Sequence, residues 1–170
     1  IISYGEILSA RFVAHRLEQQ GYNAIAIDSG DFFLTDAQFG SASVHIETSR
    51  VKCREVFDQL SRSCIPIVTG FIARSKDGHR TTLGRNGSNY SAALLANFLD
   101  ADMMENYTHI DGIYTANPTV VPEAHKMDEL SYSDASELSQ FGAEILHIKT
   151  IEPLQEKNIP LRVLLSLIHI

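Results

Sequence analysis

Short apolar runs alternate with longer amphipathic segments along this chain of 170 residues. The runs 23–28 and 65–72 are almost continuously apolar, as expected of strands that are buried on both faces of a sheet. The segment 3–21, by contrast, repeats its apolar residues at helical spacing and ends in a glycine. Such alternation predicts an α/β fold with a mostly parallel sheet and helices on both of its faces.

Caps, turns and periodicity place the remaining elements. Ser3 and Glu6 have the spacing of a capping box, which predicts the start of the first helix, and Gly21 predicts its end. A turn at 76–78 predicts a hairpin whose return arm is 80–83. Residues 29–48 show no clear period. We expect further helices at 49–61, 88–99, 131–142 and 144–157, and further strands at 103–108 and 159–163.

The segment 82–99 contains a polar loop that runs directly into a helix. Gly84 and Gly87 permit a sharp turn and a close approach of the backbone, and Ser88 is placed to cap the helix. The N–H groups of the first turn would then face a ligand, and the planar Arg85 guanidinium suits a carboxylate or phosphate. Taken alone, the loop fits a ligand-free tight turn as well as an anion site.

A second polar loop, 107–118, follows the strand predicted after that helix. It combines several hydroxyls with Asp111, Gly112 and Pro118. Because one amphipathic helix joins the two loops, we expect them at the same end of the sheet, where α/β proteins bind ligands.

Composition excludes several classes of protein. The formal charge of −7 argues against a general binder of nucleic acid or membrane surfaces, although it permits a nucleotide ligand. Cys53 and Cys64 are too few for a disulfide framework or a zinc site, and no apolar run is long enough to span a bilayer. The sequence lacks the Walker, dinucleotide-binding and protein-kinase motifs. We therefore expect a cytoplasmic protein without a resident metal site.

Four ordered segments resemble the signature motifs of aspartate kinases: 82–92, 111–118, 138–143 and 145–147. Ser3 and Glu6, with Gly5 between them, match an early motif of the same family. The resemblance covers nearly all of 3–163 and is strongest to the kinase part of bifunctional aspartokinase–homoserine dehydrogenases. It implies the amino-acid-kinase fold, a three-layer αβα sandwich with a mostly parallel central sheet.

The activity implied by the resemblance is transfer of the ATP γ-phosphoryl group to the side-chain carboxylate of aspartate, with Mg²⁺ on the phosphates. The product, 4-phosphoaspartate, begins the route to lysine, threonine and methionine. On the acceptor side, Glu6 would bind the ammonium group of aspartate, and Arg85 with Ser88 would hold a carboxylate. Asn89 stands where many members carry a catalytic aspartate.

On the nucleotide side, the resemblance assigns Thr108, Asp111 and Tyr114 to contacts with ATP. The neighbouring positions depart from the family, since His109 replaces a common aspartate, Thr119 a common arginine and Glu144 a common lysine. Losing two cations and gaining a carboxylate weakens the case for tight ATP binding.

Each assigned residue also has a purely structural interpretation. Glu6 could serve only as the capping partner of Ser3, Asp111 as a turn former, and Arg85 as a cap on a neighbouring helix. Tyr114 could equally be a packing residue, and we interpret His147 as a core or interface histidine rather than a catalytic one.

Both ends of the chain look cut. The family's N-terminal Lys-Phe-Gly-Gly strand motif is absent, so we expect a missing first strand and a fragment close to inactive. We assign 1–163 to a partial catalytic domain and 164–170 to an apolar tail, either a buried strand or non-native sequence, of which we favour the second.

Two alternatives to an aspartate kinase remain. One is a binding module for an amino acid or nucleotide that has lost phosphoryl transfer, as Asn89, Thr119 and Glu144 suggest. The other is a related kinase acting on glutamate, acetylglutamate or uridylate. We expect a homo-oligomer in the full-length protein.

Overall fold

The computed structural model describes residues 2–140 and 148–166. In these residues the elements are, in chain order, helix α1 (Ile2–Gln19), strand β1 (Ala24–Ile27), a 3₁₀ turn (Ser29–Asp31), strand β2 (Leu34–Thr35), helix α2 (Ile46–Asp58), strand β3 (Ile65–Val68), strand β4 (Ile72–Ser75), strand β5 (Arg80–Thr82), helix α3 (Gly87–Phe98), strand β6 (Met104–Thr108), helix α4 (Tyr132–Gln140), helix α5 (Ile148–Glu156) and strand β7 (Leu161–Leu165).

Strand pairing is mostly parallel, as the alternation predicts. Strand β1 pairs with β3, β2 with β4, and β6 with β7, all in parallel, whereas the hairpin partners β4 and β5 are antiparallel. The mixed helix and strand fold is confirmed. Among the described residues, however, hydrogen bonds divide the strands into three sheets, β1-β3, β2-β4-β5 and β6-β7, rather than the single sheet we expected.

The apolar run 65–72 is not one strand, which corrects the sequence prediction. The N–H of Ile72 donates to the Gly70 carbonyl over 2.7 Å, and Phe71 between them has a φ of +66°. This is a γ-turn with a positive central φ, a rare and strained conformation. Because the chain bends here, β3 ends in one sheet and β4 begins in another, and continuous apolarity gave no sign of the bend.

Two predicted helix starts are wrong. Helix α1 already contains Ser3, so Ser3 and Glu6 do not form a capping box, and the same spacing simply places both on one helical face. Helix α2 begins at Ile46 rather than Ser49. The Ser49 side chain is buried instead, where its Oγ accepts from the Leu34 N–H over 3.0 Å and ties α2 to β2.

Other elements agree with the predictions. The spacing in α1 buries Ala10 and Ala14, and Gly21 takes a φ of +89° just after the helix. Ser131 caps α4, since its Oγ accepts from the Asp134 N–H over 3.1 Å. The last predicted strand is observed as β7, which extends to Leu165. The predicted helix end at 142 and helix start at 144 lie outside the described residues.

Helix α3 is shared by two apolar clusters. Its residues Leu94 and Phe98 pack with a cluster that includes Phe32, Phe33 and Ala73 of β4, and the ring centroids of Phe33 and Phe98 lie 6.1 Å apart. Ala93 and Ala96, also on α3, pack against Met104, Leu154 and Ile159. Burial of this helix on two sides fixes the position of the loop at its N-terminus. None of the described helices is long and apolar enough to cross a membrane.

A bidentate ion pair links the carboxyl end of β1 to β5. Arg80 donates from Nη2 to Asp28 Oδ2 over 2.8 Å and from Nη1 to Oδ1 over 3.2 Å, and the Gly30 N–H also donates to Oδ1. Burial by itself raises the pKa of Asp28, but these hydrogen bonds and the charges of Arg80 and Arg74 outweigh it and hold that pKa below its ordinary value.

We expect this pair to make stability pH dependent. Because the pKa of Asp28 is lower in the folded state, its contribution is present at neutral pH and is lost as the pH falls below about 4. Asp28→Asn should lower the free energy of unfolding at pH 7 by about 1–3 kcal/mol, measured by urea denaturation, and the deficit should shrink at pH 3. Asp31→Asn, in an exposed pair with Arg74, is the control and should change it by less than about 1 kcal/mol. An undiminished deficit at pH 3 would contradict this account.

Gly70 allows α3 to pack directly on the turn between β3 and β4. A Cβ at this position would lie 2.9, 3.0 and 3.1 Å from Oγ, Cβ and Cα of Ser88. We therefore expect Gly70→Ala to lower the free energy of unfolding by about 1–3 kcal/mol. The control is Gly5→Ala in α1, where a Cβ would meet nothing within 4 Å. It should stabilise the protein by about 0.5–1 kcal/mol, and the same sign for both would refute the packing argument.

Candidate functional site

An open cleft of about 430 Å³ lies at the N-terminus of α3. It is formed where α1, the γ-turn between β3 and β4, and the glycine-rich loop converge. The residues that line it are Glu6, Phe71, Gly84, Asn86, Gly87, Ser88 and Asn89. Two of the predicted acceptor-side residues, Glu6 and Ser88, are therefore brought together with Asn89, the predicted catalytic position, although Glu6 lies more than 80 residues before the other two in the sequence.

The loop enters α3 differently from the prediction. Helix α3 begins at Gly87, and its N-cap is Asn86, which has a left-handed φ of +56° and forms no side-chain cap bond. Ser88 lies inside the first turn and is not the cap, so that prediction is wrong. The reason is the left-handed pair Gly84 and Asn86, which tightens the loop into the Gly87 N–H to Gly84 carbonyl bond of 3.0 Å.

This early helix start leaves polar groups available in the cleft. Neither the Ser88 hydroxyl nor the backbone N–H groups of Ser88 and Asn89 form a hydrogen bond within the part of the chain that the structure describes. Ser88 is exposed and Asn89 half-buried. Free N–H groups at a helix N-terminus attract anions, because the helix dipole is positive there.

Hydrogen bonds and a close contact join the γ-turn to α3 and to the residue that follows β5. The Phe71 N–H donates to Ser91 Oγ over 3.0 Å, and its carbonyl accepts from the Leu83 N–H over 2.9 Å. The Ser91 hydroxyl in turn donates to the Gly87 carbonyl over 2.8 Å. A Cβ on Gly87 would lie 2.9 Å from Phe71 Cδ2, so only glycine admits the ring at this distance. The position of the first turn of α3 is thereby fixed relative to β3.

Charge is sparse in the cleft. Glu6 is the one charged side chain among the described residues that line it. Arg85 sits between Gly84 and Asn86, but its side chain is exposed and does not line the cleft. It also has no ion-pair or hydrogen-bond partner within the described residues. Arg85 is thus adjacent to the cleft, and within the described residues its side chain does not cap a neighbouring helix.

The second loop brings Asp111 and Tyr114 together. The Tyr114 hydroxyl donates to Asp111 Oδ1 over 3.0 Å, and Lys126 Nζ lies 3.4 Å from Asp111 Oδ2. The Tyr114 bond, with a further contribution from Lys126, lowers the pKa of Asp111, and the bond to Asp111 raises the pKa of Tyr114. Asp111 is therefore ionised and Tyr114 protonated at neutral pH.

Lys126 is a residue that the sequence reasoning missed. An antiparallel bridge pairs it with Tyr114, and the flanking Met127 N–H donates to the Ile113 carbonyl over 2.8 Å. The Lys126 side chain passes Gly112 so closely that a Cβ on Gly112 would overlap it. The glycine was a visible signal of close approach, but the sequence did not show which residue approaches.

The other nucleotide-side residues are less concentrated. Thr108 ends β6, and its Oγ1 lies 3.3 Å from His109 Nδ1. Thr119 is engaged in a turn, where its N–H and hydroxyl both contact Asn117 Oδ1. Glu144 and His147 lie outside the described residues.

The two loops do not follow strands of one hydrogen-bonded sheet, which corrects the expected common sheet end. The first loop follows β5 and the second follows β6, and these strands belong to different sheets. Among the described residues, none from the second loop lines the cleft. The physical link between the loops is α3, which begins at one and leads through a short turn into the strand before the other.

Comparison with known proteins agrees with this architecture. The chain is 40% identical over 167 residues to the bifunctional aspartokinase/homoserine dehydrogenase of Buchnera aphidicola, covering 94% of this chain and 20% of that protein. It is 34% identical over 161 residues to lysine-sensitive aspartokinase 3 of Escherichia coli, covering 94% of this chain and 36% of that protein. The chain thus spans about a fifth to a little over a third of the length of these relatives.

Among solved structures, E. coli aspartokinase III in complex with aspartate and ADP superposes with a TM-score of 0.91 at 34% identity. The match covers 96% of this chain and 37% of that one. The resemblance to aspartate kinases is confirmed. The amino acid kinase family matches over residues 1–164, and the chain therefore belongs to that family.

Proposed function

We propose that this chain is the core of an aspartate kinase, which transfers the γ-phosphoryl group of ATP to the side-chain carboxylate of aspartate. The observation that carries the proposal is the cleft, where the Glu6 carboxylate faces the uncapped first turn of α3. A site with one anionic wall and one anion-binding wall suits a zwitterionic amino acid. The similar E. coli enzyme was solved with aspartate and ADP bound.

Glu6 and the first turn of α3 divide the recognition of aspartate between them. The half-buried Glu6 binds the ammonium group by charge. The Ser88 hydroxyl and the N–H groups of Ser88 and Asn89 donate to a carboxylate, and none of these groups has to break a bond within the described residues to do so. Arg85, exposed beside the cleft, adds a bidentate contact.

The nucleotide lies across the second loop in this proposal. Thr108, Tyr114 and the Asp111–Lys126 pair supply hydroxyls and one cation. The described residues contain no group of three or more His, Cys, Asp or Glu that could hold a metal ion. The side chains of these residues therefore form no ready-made Mg²⁺ site, and Mg²⁺ would be held mainly on the phosphates of the nucleotide, whose charge it would neutralise.

The reaction demands alignment more than acid or base chemistry. An oxygen of the substrate carboxylate attacks the γ-phosphorus, the bond from that phosphorus to the β,γ-bridging oxygen breaks, and ADP leaves with the electron pair. Since the nucleophile is already an anion at pH 7, no general base is needed. The residues of the cleft hold the acceptor in line and screen its charge from the incoming phosphate.

A non-catalytic binding module is the second candidate. Asn89 lines the cleft with an amide where many kinases of the family carry an aspartate, and Thr119 offers a hydroxyl in place of an arginine. The first change leaves the cleft, and the second leaves the turn after the second loop, without a charge that phosphoryl transfer would use. A homo-oligomer, a cytoplasmic location and a 170-residue fragment close to inactive stay predictions.

Formation of ADP separates the two candidates. We expect the protein encoded by the longest open reading frame that contains these residues to form ADP from ATP, in the presence of Mg²⁺, only when aspartate is added. Glutamate should be a poor acceptor. Hydroxylamine trapping of the acyl phosphate identifies the product. Calorimetric titration of aspartate into the same protein is the companion measurement. Binding without turnover would support the module and reject the kinase.

Arg85→Ala tests the acceptor side. Loss of the bidentate contact should raise KM for aspartate by about 10- to 100-fold, since a charge-assisted hydrogen bond contributes about 1.5–3 kcal/mol, while KM for ATP changes little. The KM of Arg85→Lys for aspartate should lie between those of the wild-type protein and Arg85→Ala, because lysine keeps the positive charge but cannot form the bidentate contact. Arg62→Ala is the control, since Arg62 is exposed in the turn before β3, at the opposite end of that strand from the cleft. Equal effects on both KM values would contradict the assignment.

A further inference from the structure

Phe71 is held in a conformation that its side chain disfavours. Its φ of +66° lies in the left-handed region, and the Ile72 N–H to Gly70 carbonyl bond closes the γ-turn around it. For a bulky residue such a backbone costs on the order of 1–3 kcal/mol. Strain of this size persists only where the surroundings enforce it, and it is concentrated at functional sites.

The surroundings of Phe71 enforce the turn from both directions. Its N–H is taken by Ser91 Oγ and its carbonyl by the Leu83 N–H, so its peptide groups cannot rotate without losing two bonds. On either side, Gly70 meets Ser88 and Gly87 meets the Phe71 ring at distances that admit no Cβ. A glycine at position 71 would satisfy the same backbone without strain, so the backbone alone does not explain a phenylalanine here.

The ring itself supplies what glycine lacks. Phe71 is half-buried and lines the cleft, whose other described lining residues are a carboxylate, two amides, a hydroxyl and two glycines. It is thus the apolar wall of a polar cleft.

We propose that the Phe71 ring determines acceptor length, so that the cleft accepts aspartate and excludes its homologue with one more methylene. This assignment rests on the proposed kinase function. With the acceptor anchored between Glu6 and the first turn of α3, an extra methylene displaces the reactive carboxylate into the ring or away from the nucleotide. Pockets that discriminate by one methylene reach about 10- to 200-fold.

The test measures kcat/KM for aspartate and for glutamate with the protein encoded by the longest open reading frame that contains the chain. Phe71→Gly keeps the backbone of the turn and removes the ring, and it should lower the aspartate-to-glutamate ratio by at least 10-fold without raising KM for ATP. Phe71→Leu keeps a side chain on the strained backbone but trims the ring, and should lower the ratio less. Phe71→Tyr retains the ring and should preserve the ratio.

The matched control is Asn158→Gly, which relieves another left-handed residue, with a φ of +52°, in the turn between α5 and β7. It should leave the ratio unchanged. If both ring-trimming variants fold, as judged by circular dichroism, and the ratio stays at the wild-type value, Phe71 is only structural and the assignment is overturned. If the wild-type protein does not use aspartate at all, the proposed function fails, and the assignment fails with it.

Discussion

The close approach of helix α3 to the turn after β3 is the constraint on which the candidate site depends. Gly70 lies against Ser88 and Gly87 against Phe71, at separations where a single Cβ would force the two segments apart. Contact at this range fixes the direction of the first helical turn and, with it, the direction of its free N–H groups. An anion-binding helix end is useful to a kinase only when it is aimed at the reacting atoms.

The rest of the fold keeps this contact in place. Apolar burial on both sides of α3 opposes any shift along or around its axis. The Asp28–Arg80 pair ties β5, the strand before the loop, to the end of β1. Within the described residues, the Ser88 hydroxyl and the backbone N–H groups of Ser88 and Asn89 form no hydrogen bond, which supports the proposal that a ligand binds in the cleft.

The sequence correctly predicted the elements that are determined by apolar periodicity or by local capping and turn residues. Apolar spacing identifies α1, a glycine ends it, and the Ser131 cap starts α4. Patterns with two causes misled us. Ser49 has the features of a helix start but serves as a buried acceptor for β2. The apolar run 65–72 is divided between two sheets, and its first half, β3, is only partly buried. For the site, motif resemblance identified Glu6, Ser88 and Asn89 in one cleft, but it said nothing of Phe71, whose position depends on contacts between distant segments.

The nucleotide side shows why replaced residues cannot be judged one position at a time. By sequence alone, Thr119, the residue directly after the second loop, replaces a cation common in the family, which suggests weaker attraction of the phosphates. In the folded protein, a bridge to Tyr114 delivers Lys126 to the same loop, within 3.4 Å of Asp111. The charge of the ionised Asp111 is thereby balanced, and in the proposed function the loop would offer a nucleotide a neutral pair rather than a bare carboxylate. The net charge at this loop therefore depends on strand pairing across 113–127, a property of the fold and not of the motif.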